Sequence, residues 1–351
     1  MDEQAAWADL QTGPAQDRAG KEVAMSAIRY WFCIGMSVFG VIAGLATPEA
    51  RAAAQDLLVS TAASRSVLRY DGTTGAYLGP FVAPGSGGLQ HADGMTFGPD
   101  GNLYVGSYDP NLTVPDSVKR YNGQTGAPIP PNGDFASGGE LFCPWGVRFG
   151  PDGNLYASSS YRSWVNRYNG TTGAFINHFI PDMPYPNGIL FHGDYLYVAT
   201  SGLSVASSAD KILRYSATTG AFVDEFVSYR SGGLSVPANM TFGPDGNFYV
   251  TGWASNAVHR YNGATGAFIN LFVPPGTLNG PIGLTFGPDG NLYVASWSGN
   301  RIQRYNGTNG AFLGTFATLS TPFDILFTPE PATLALLGAG VAGVACRRRR
   351  R

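Results

Sequence analysis

The sequence predicts an all-β protein. It is a six-bladed β-propeller of four-stranded blades, closed by strands from both ends of its domain, flanked by an N-terminal signal helix and a C-terminal hydrophobic helix. Three observations lead there. A nine-residue phrase recurs as FGPDGNLYV at 97–105, FGPDGNLYA at 149–157, FGPDGNFYV at 242–250 and FGPDGNLYV at 286–294. A second phrase alternates with it: RYDGTTG at 69, RYNGQTG at 120, RYNGTTG at 167, RYSATTG at 214, RYNGATG at 260 and RYNGTNG at 304. Its tyrosines recur every 44–51 residues or so, a period that suits a propeller blade when the content is strand-like. Finally, incomplete units stand at the two ends and complement each other.

One unit reads in full from Ile282. IGLTF is an apolar strand A. GPDG is a turn, with Pro288 pre-set at its second position and Gly290 free to take positive φ. NLYVAS alternates as strand B, NRIQRY follows as strand C, NGTNG turns the chain, and AFLGTF is strand D. The hairpin FHGDYLYV at 191–198 is one residue shorter and lacks the proline, so a tighter turn is expected there. Five complete blades start near Met95, Val147, Ile189, Met240 and Leu284. DLLVST, SVLRYDG and AYLGPF supply B, C and D of a sixth, and FDILF at 323–327 supplies its A. Closure removes free sheet edges that would invite aggregation. The propeller is therefore expected over 55–328.

Composition excludes several classes. The 351 residues carry a formal net charge of -2, which gives no electrostatic case for nucleic acid. Hydrophobic content of 44% argues for a folded domain despite 48 glycines and 24 prolines. Of three cysteines, Cys33 and Cys346 lie in apolar end segments, so Cys143 has no partner inside the domain. There is no phosphate loop, zinc spacing or nucleophile elbow.

Both ends read as targeting segments. From Met25, Arg29 precedes an apolar stretch to Ala46, and Ala50-Arg51-Ala52 or Ala52-Ala53-Ala54 fits an A-x-A cleavage site, so 25–54 is expected to be a signal peptide. The polar leader 1–24 fits poorly before it, and translation is expected to begin at Met25. At the other end an apolar run from Ala332 to Cys346 precedes five arginines. It is short for a full span at about 1.5 Å per residue, and the arginines would hold its end on the cytoplasmic side. Pro329-Glu330-Pro331, apolar segment and arginine tail, in that order over 329–351, resemble the PEP-CTERM sorting signal of Gram-negative bacteria. The resemblance implies export, a membrane tether before processing, cleavage by an exosortase, and an association with exopolysaccharide. The domain is then periplasmic, outer-surface or extracellular.

The unit NLYVASWSGNRIQRYNG resembles the NHL repeat and the wider streptogramin-lyase-like and gluconolactonase-like propellers. What this implies is fold rather than function. The aspartate often found after strand B's valine is missing here.

In such a fold the constant A–B and C–D turns share one face, and the variable D–A and B–C loops share the other, where binding is expected. The residues opening each A strand should ring the channel mouth. Among them Asp93, Asn187, Asn239 and Asp324 are oxygen ligands of a kind that suits Ca2+ or another divalent cation. Asp93-Gly94 and Asn187-Gly188 also look like gluconolactonase-like metal signatures, although that family's N-terminal glutamate has no counterpart. The bland alternative is strand-end capping. Tyr108, Tyr161, Trp164, Tyr185, Tyr229, Trp253 and Trp297 are candidates for stacking on sugar rings or anchoring a protein, against loop packing. His91, beside Asp93, is the candidate general base of any enzyme. The once-per-blade arginines read as structural. The leading expectation is a non-catalytic surface binding or scaffold module for extracellular polysaccharide or a surface protein. The runner-up is a metal-dependent lactonase or lyase-like hydrolase at the channel mouth.

Overall fold

The structure is a computed structural model describing residues 55–129, 133–202 and 209–330. The expected leader, signal helix and C-terminal hydrophobic helix lie outside the described residues, as does Pro331 of the sorting motif. Six four-stranded antiparallel sheets form the six blades. Blade 1 is closed as expected: its A strand, Pro322–Phe327, comes from the C-terminal end and pairs with its B strand, Leu57–Thr61, from the N-terminal end. Leu57 faces Phe327 and Val59 faces Ile325. The amide of Thr328 donates to the Asp56 carbonyl at 2.8 Å, and the Asp56 amide donates to Thr328 Oγ1 at 3.0 Å. A strands run from the loop face to the turn face, and B strands run back. Both ends of the propeller therefore leave through the turn face.

The repeated nine residues build the contacts between blades. The phrase's tyrosine, on strand B, meets a phenylalanine on strand A of the next blade: Tyr104 with Phe149 at 4.8 Å, Tyr156 with Phe191 at 4.8 Å, Tyr249 with Phe286 at 5.1 Å and Tyr293 with Phe327 at 5.1 Å, all edge to face. This is the preferred geometry for aromatic pairs. The turn aspartate accepts that tyrosine's hydroxyl, as from Tyr104 to Asp100 at 3.0 Å and from Tyr249 to Asp245 at 2.9 Å. One phrase thus supplies a ring to the next blade, receives one from the previous blade, and fixes its own hydroxyl. In the short third hairpin, strands Pro186–His192 and Tyr195–Thr200 leave two turn residues, Gly193 and Asp194, and Gly193 has φ +56°.

The second phrase ties each blade to the one before. Gly126 has φ +69°, and a Cβ there would lie 1.7 Å from the Phe81 carbonyl oxygen of blade 1's D strand. Only glycine permits both that conformation and that approach. Five of the six recurring arginines pack on rings, and Arg69 instead lies 3.5 Å from Asp56. Arg120, Arg167, Arg214, Arg260 and Arg304 lie over D-strand phenylalanines at 4.9–5.8 Å. Two elements are shorter than the repeat predicts. Blade 2's D strand is reduced to Asp134–Ala136 and blade 3's A strand to Val147–Phe149.

Candidate functional site

The loop-face mouth of the channel opens into a cavity of about 430 Å³ to which all six blades contribute. Three repeat positions supply most of its lining, with Tyr161 and Gly202 one residue past the third. The first is the residue opening the A strand: Asp93, Trp145, Asn187, Ile282 and Phe323. The second lies two residues before the opener: His91, Cys143, Tyr185 and Val236. The third lies three residues past the strand-B valine or its equivalent: Ala62, Tyr108, Ser160, Ser201, Trp253 and Trp297. Because every blade points the same strand ends at the axis, one repeat position becomes one ring.

Of the seven aromatics singled out from the sequence, Tyr108, Tyr161, Tyr185, Trp253 and Trp297 line this cavity. Trp164 does not. It lies on blade 3's C strand, its ring tilted against His178 at 4.3 Å. Nor does Tyr229, which is 40% exposed on a D–A loop with Arg230 over its ring at 5.4 Å. Trp145 and Phe323, edge to face at 5.0 Å, are further aromatics of the cavity that sequence reasoning did not select as ligand contacts. Their signal was positional: they open A strands, as Asp93 does. Edge-to-face contacts carry the wall onward from His91 to Tyr108 at 5.7 Å, to Phe142 at 5.8 Å, to Tyr161 at 5.5 Å and to Tyr185 at 6.3 Å. Ala238, Ile282 and Phe323 form a small apolar cluster with Trp145 and Trp297 packed on it.

Backbone strain gathers on this rim. Cys143, Tyr185, Val236 and Thr321, each two residues before an opener, have φ of +54°, +36°, +50° and +44°. Left-handed φ is costly for bulky and β-branched residues, and the surrounding fold must hold it.

The four oxygen residues expected around a cation fall into two layers, one residue apart along the strand. Asp93 and Asn187 face the cavity. Asn239 and Asp324 sit one position further in, where blades 2, 3, 4 and 6 carry Gly94, Gly146, Gly188 and Gly283. A Cβ at those glycines would meet a carbonyl oxygen of the neighbouring A strand at 2.1–2.8 Å. Asn239 and Asp324 instead bond to each other, Nδ2 to Oδ1 at 3.1 Å. Asp324 also accepts the amides of Met95 and Ile325 at 3.0 Å each, and Arg148 Nη1 lies 3.8 Å from Oδ2. Asn187 donates through Nδ2 to Ser201 Oγ at 3.0 Å and the Pro237 carbonyl at 2.9 Å. These residues do not fit a shared cation: two are spent on each other and a third points its amide nitrogen at protein oxygens. Among the described residues, no group of three or more His, Cys, Asp or Glu side chains is placed to hold a metal ion.

Asp93 is different. It is 2% exposed, and its Oδ2 is buried without a hydrogen-bond partner. Burial, followed by the nearby Asp116 carboxylate, pushes its carboxyl well above the usual range. Burial likewise pushes the Cys143 thiol well up, reinforced by Asp93 and Asp116, which leaves it a poor nucleophile. His91 is lowered, chiefly by burial, with Asp109 opposing and Arg65 adding to the shift. Ser160 Oγ donates to the Pro186 carbonyl at 2.6 Å. The cavity's hydroxyl on that blade is thus held by backbone rather than by His91.

Comparison with known proteins agrees with the architecture. Residues 327–351 match the PEP-CTERM protein-sorting motif. A chain from the crystal structure of a nidogen/laminin complex is similar in structure, with a TM-score of 0.62 at 15% identity over 79% of this chain and 99% of that one. At that identity the likeness shows the fold alone. No curated protein matches the sequence. The chain is thus a six-bladed β-propeller protein bearing a C-terminal PEP-CTERM signal. That signal implies export, a membrane anchor before processing, and recognition by an exosortase.

Proposed function

We propose that this protein is an exported, non-catalytic binding module that presents its aromatic cavity to extracellular polysaccharide. The observation that carries the reading is the convergence of Tyr108, Tyr161, Tyr185, Trp253 and Trp297 from five loops into one cavity. Aromatic rings offer sugars large apolar faces at low entropic cost, with hydroxyl and indole N–H groups left for polar contacts. Topology supports presentation. Asp56 and Thr328, the paired ends of the propeller, lie on the turn face, opposite the cavity. The non-catalytic reading is favoured by a cavity whose Ser160 is bonded to backbone, whose Ser201 accepts from the Asn187 amide, and whose thiol is pushed up by burial.

The test is retention of the protein on extracellular polysaccharide from the cells that make it. Wild type is expected to be retained, and Trp253→Ala with Trp297→Ala to lose retention by about tenfold or more, since each stacked ring contributes about 0.5–1.5 kcal/mol and two are removed. Equal retention of both, with both folded, would exclude the cavity as the binding surface.

A further inference from the structure

Asp93 asks for an explanation that the saccharide reading alone does not supply. Its Oδ2 is buried with no partner, at the wall of a cavity lined by seven Tyr, Trp and Phe rings. No Lys or Arg is among the described residues lining that cavity. A second carboxylate, Asp116, stands behind it, with Oδ1 accepting the Asp109 amide at 2.8 Å and Oδ2 the Cys143 amide at 2.8 Å. An acid buried without a partner and backed by another acid costs stability, so the arrangement is one to expect where a ligand brings the missing charge.

We infer that the cavity recognises an organic ammonium group, and that its saccharide ligand is an amine-bearing sugar whose ammonium pairs with Asp93 among the aromatic rings. This rests on the saccharide reading of the same cavity. Two physical terms converge on such a group. A cation near aromatic faces is attracted by their quadrupoles, most strongly when desolvated. A carboxylate in a site of low dielectric adds a Coulomb attraction far larger than in water. The raised carboxyl fits as well: burial without a partner, with Asp116 behind it, disfavours the Asp93 carboxylate, and a bound ammonium would offset that cost. Other ionisable side chains around the cavity are His91, Cys143, Tyr108, Tyr161 and Tyr185, with Asp109 and Arg65 beside His91. Of these only Arg65 carries a fixed positive charge, and it is not among the lining residues.

Three tetrasaccharides that share one β-1,4 backbone and differ only at C2 isolate the ammonium: the glucosamine tetramer, the N-acetylglucosamine tetramer and cellotetraose. Binding is read from the fluorescence of the full chain in a non-glycosidic detergent, since Trp145, Trp253 and Trp297 line the cavity. The glucosamine tetramer is expected to bind about tenfold tighter than either neutral sugar, and Asp93→Asn to bring the three within about twofold of each other. A melt of Asp93→Asn establishes that the variant is folded. Equal binding of the three sugars to wild type, or a preference that survives in Asp93→Asn, would overturn the ammonium site and leave the saccharide reading standing. No binding of any sugar would overturn both.

Discussion

Asn239 and Asp324 join two blades that are not neighbours: Nδ2 of blade 5's asparagine donates to Oδ1 of blade 1's aspartate at 3.1 Å. The same carboxylate accepts the Met95 amide of blade 2 and lies near Arg148 of blade 3. Four of the six equivalent positions are glycines because neighbouring A strands approach too closely for a side chain. The remaining two are filled by a pair that satisfies itself.

This pair fixes the first prediction. Asp324→Ala leaves the Met95 and Ile325 amides and the Asn239 amide nitrogen without their acceptor. Unpaired buried donors cost about 1–3 kcal/mol each, with some relief by relaxation, so a loss on the order of 3 kcal/mol is expected in chemical denaturation. Because these groups are occupied with one another, calcium and then chelator are expected to leave the wild-type melting temperature unchanged. A calcium-dependent rise abolished by Asp324→Ala would restore the cation reading.

Asp93→Asn is expected to stabilise the protein at neutral pH, by on the order of 1–3 kcal/mol, because it removes the ionisation that burial opposes. The sign follows from proton binding. The folded carboxyl titrates above its unfolded value of 3.8, so the fold binds the proton more tightly than the unfolded chain does. Stability contributed by Asp93 is full below about 3.8 and falls as pH rises towards the elevated folded value. The advantage of the variant should therefore shrink as pH is lowered towards 3.8, and denaturation curves across that range measure it. A variant less stable than wild type at neutral pH would contradict this account.

His259 sits on blade 5's C strand, 1% exposed, with its Nε2 2.9 Å from Ser255 Oγ. Burial lowers it to about 4 from 6.5. The unfolded chain takes up this proton first as pH falls, so stability should decline between 6.5 and about 4 and level off below. The full contribution is roughly 3 kcal/mol. His259→Gln should flatten that part of the pH profile, and an unchanged slope would show that other groups cause it.

The blades, their number and their closure were legible in the sequence because each rests on local signals. FGPDG makes a hairpin wherever it stands, and half-units at both ends admit few arrangements other than a shared blade. The resemblance in the C-terminal residues was legible for the same reason, since a sorting signal is read as a linear motif. The lining of the candidate cavity was legible in part. Tyr108, Trp253 and Trp297 occupy one repeat position, and that position faces the axis. Trp164 has the same chemistry but stands on a C strand, which places its ring against His178.

Sequence alone determined the propeller, its turn and loop faces, and which strand ends meet at the mouth, since these follow from hydrogen-bonded neighbours along a repeating chain. Tertiary structure decided which polar residues meet. Asp93 and Asp324 are both acids opening an A strand, yet one residue of offset sends the first into the cavity without a partner and the second into bonds with three other blades. Side chains alternate along a strand, and six strands converge on one narrow axis. A single step along the chain therefore separates a group open to a ligand from one consumed in holding the fold together.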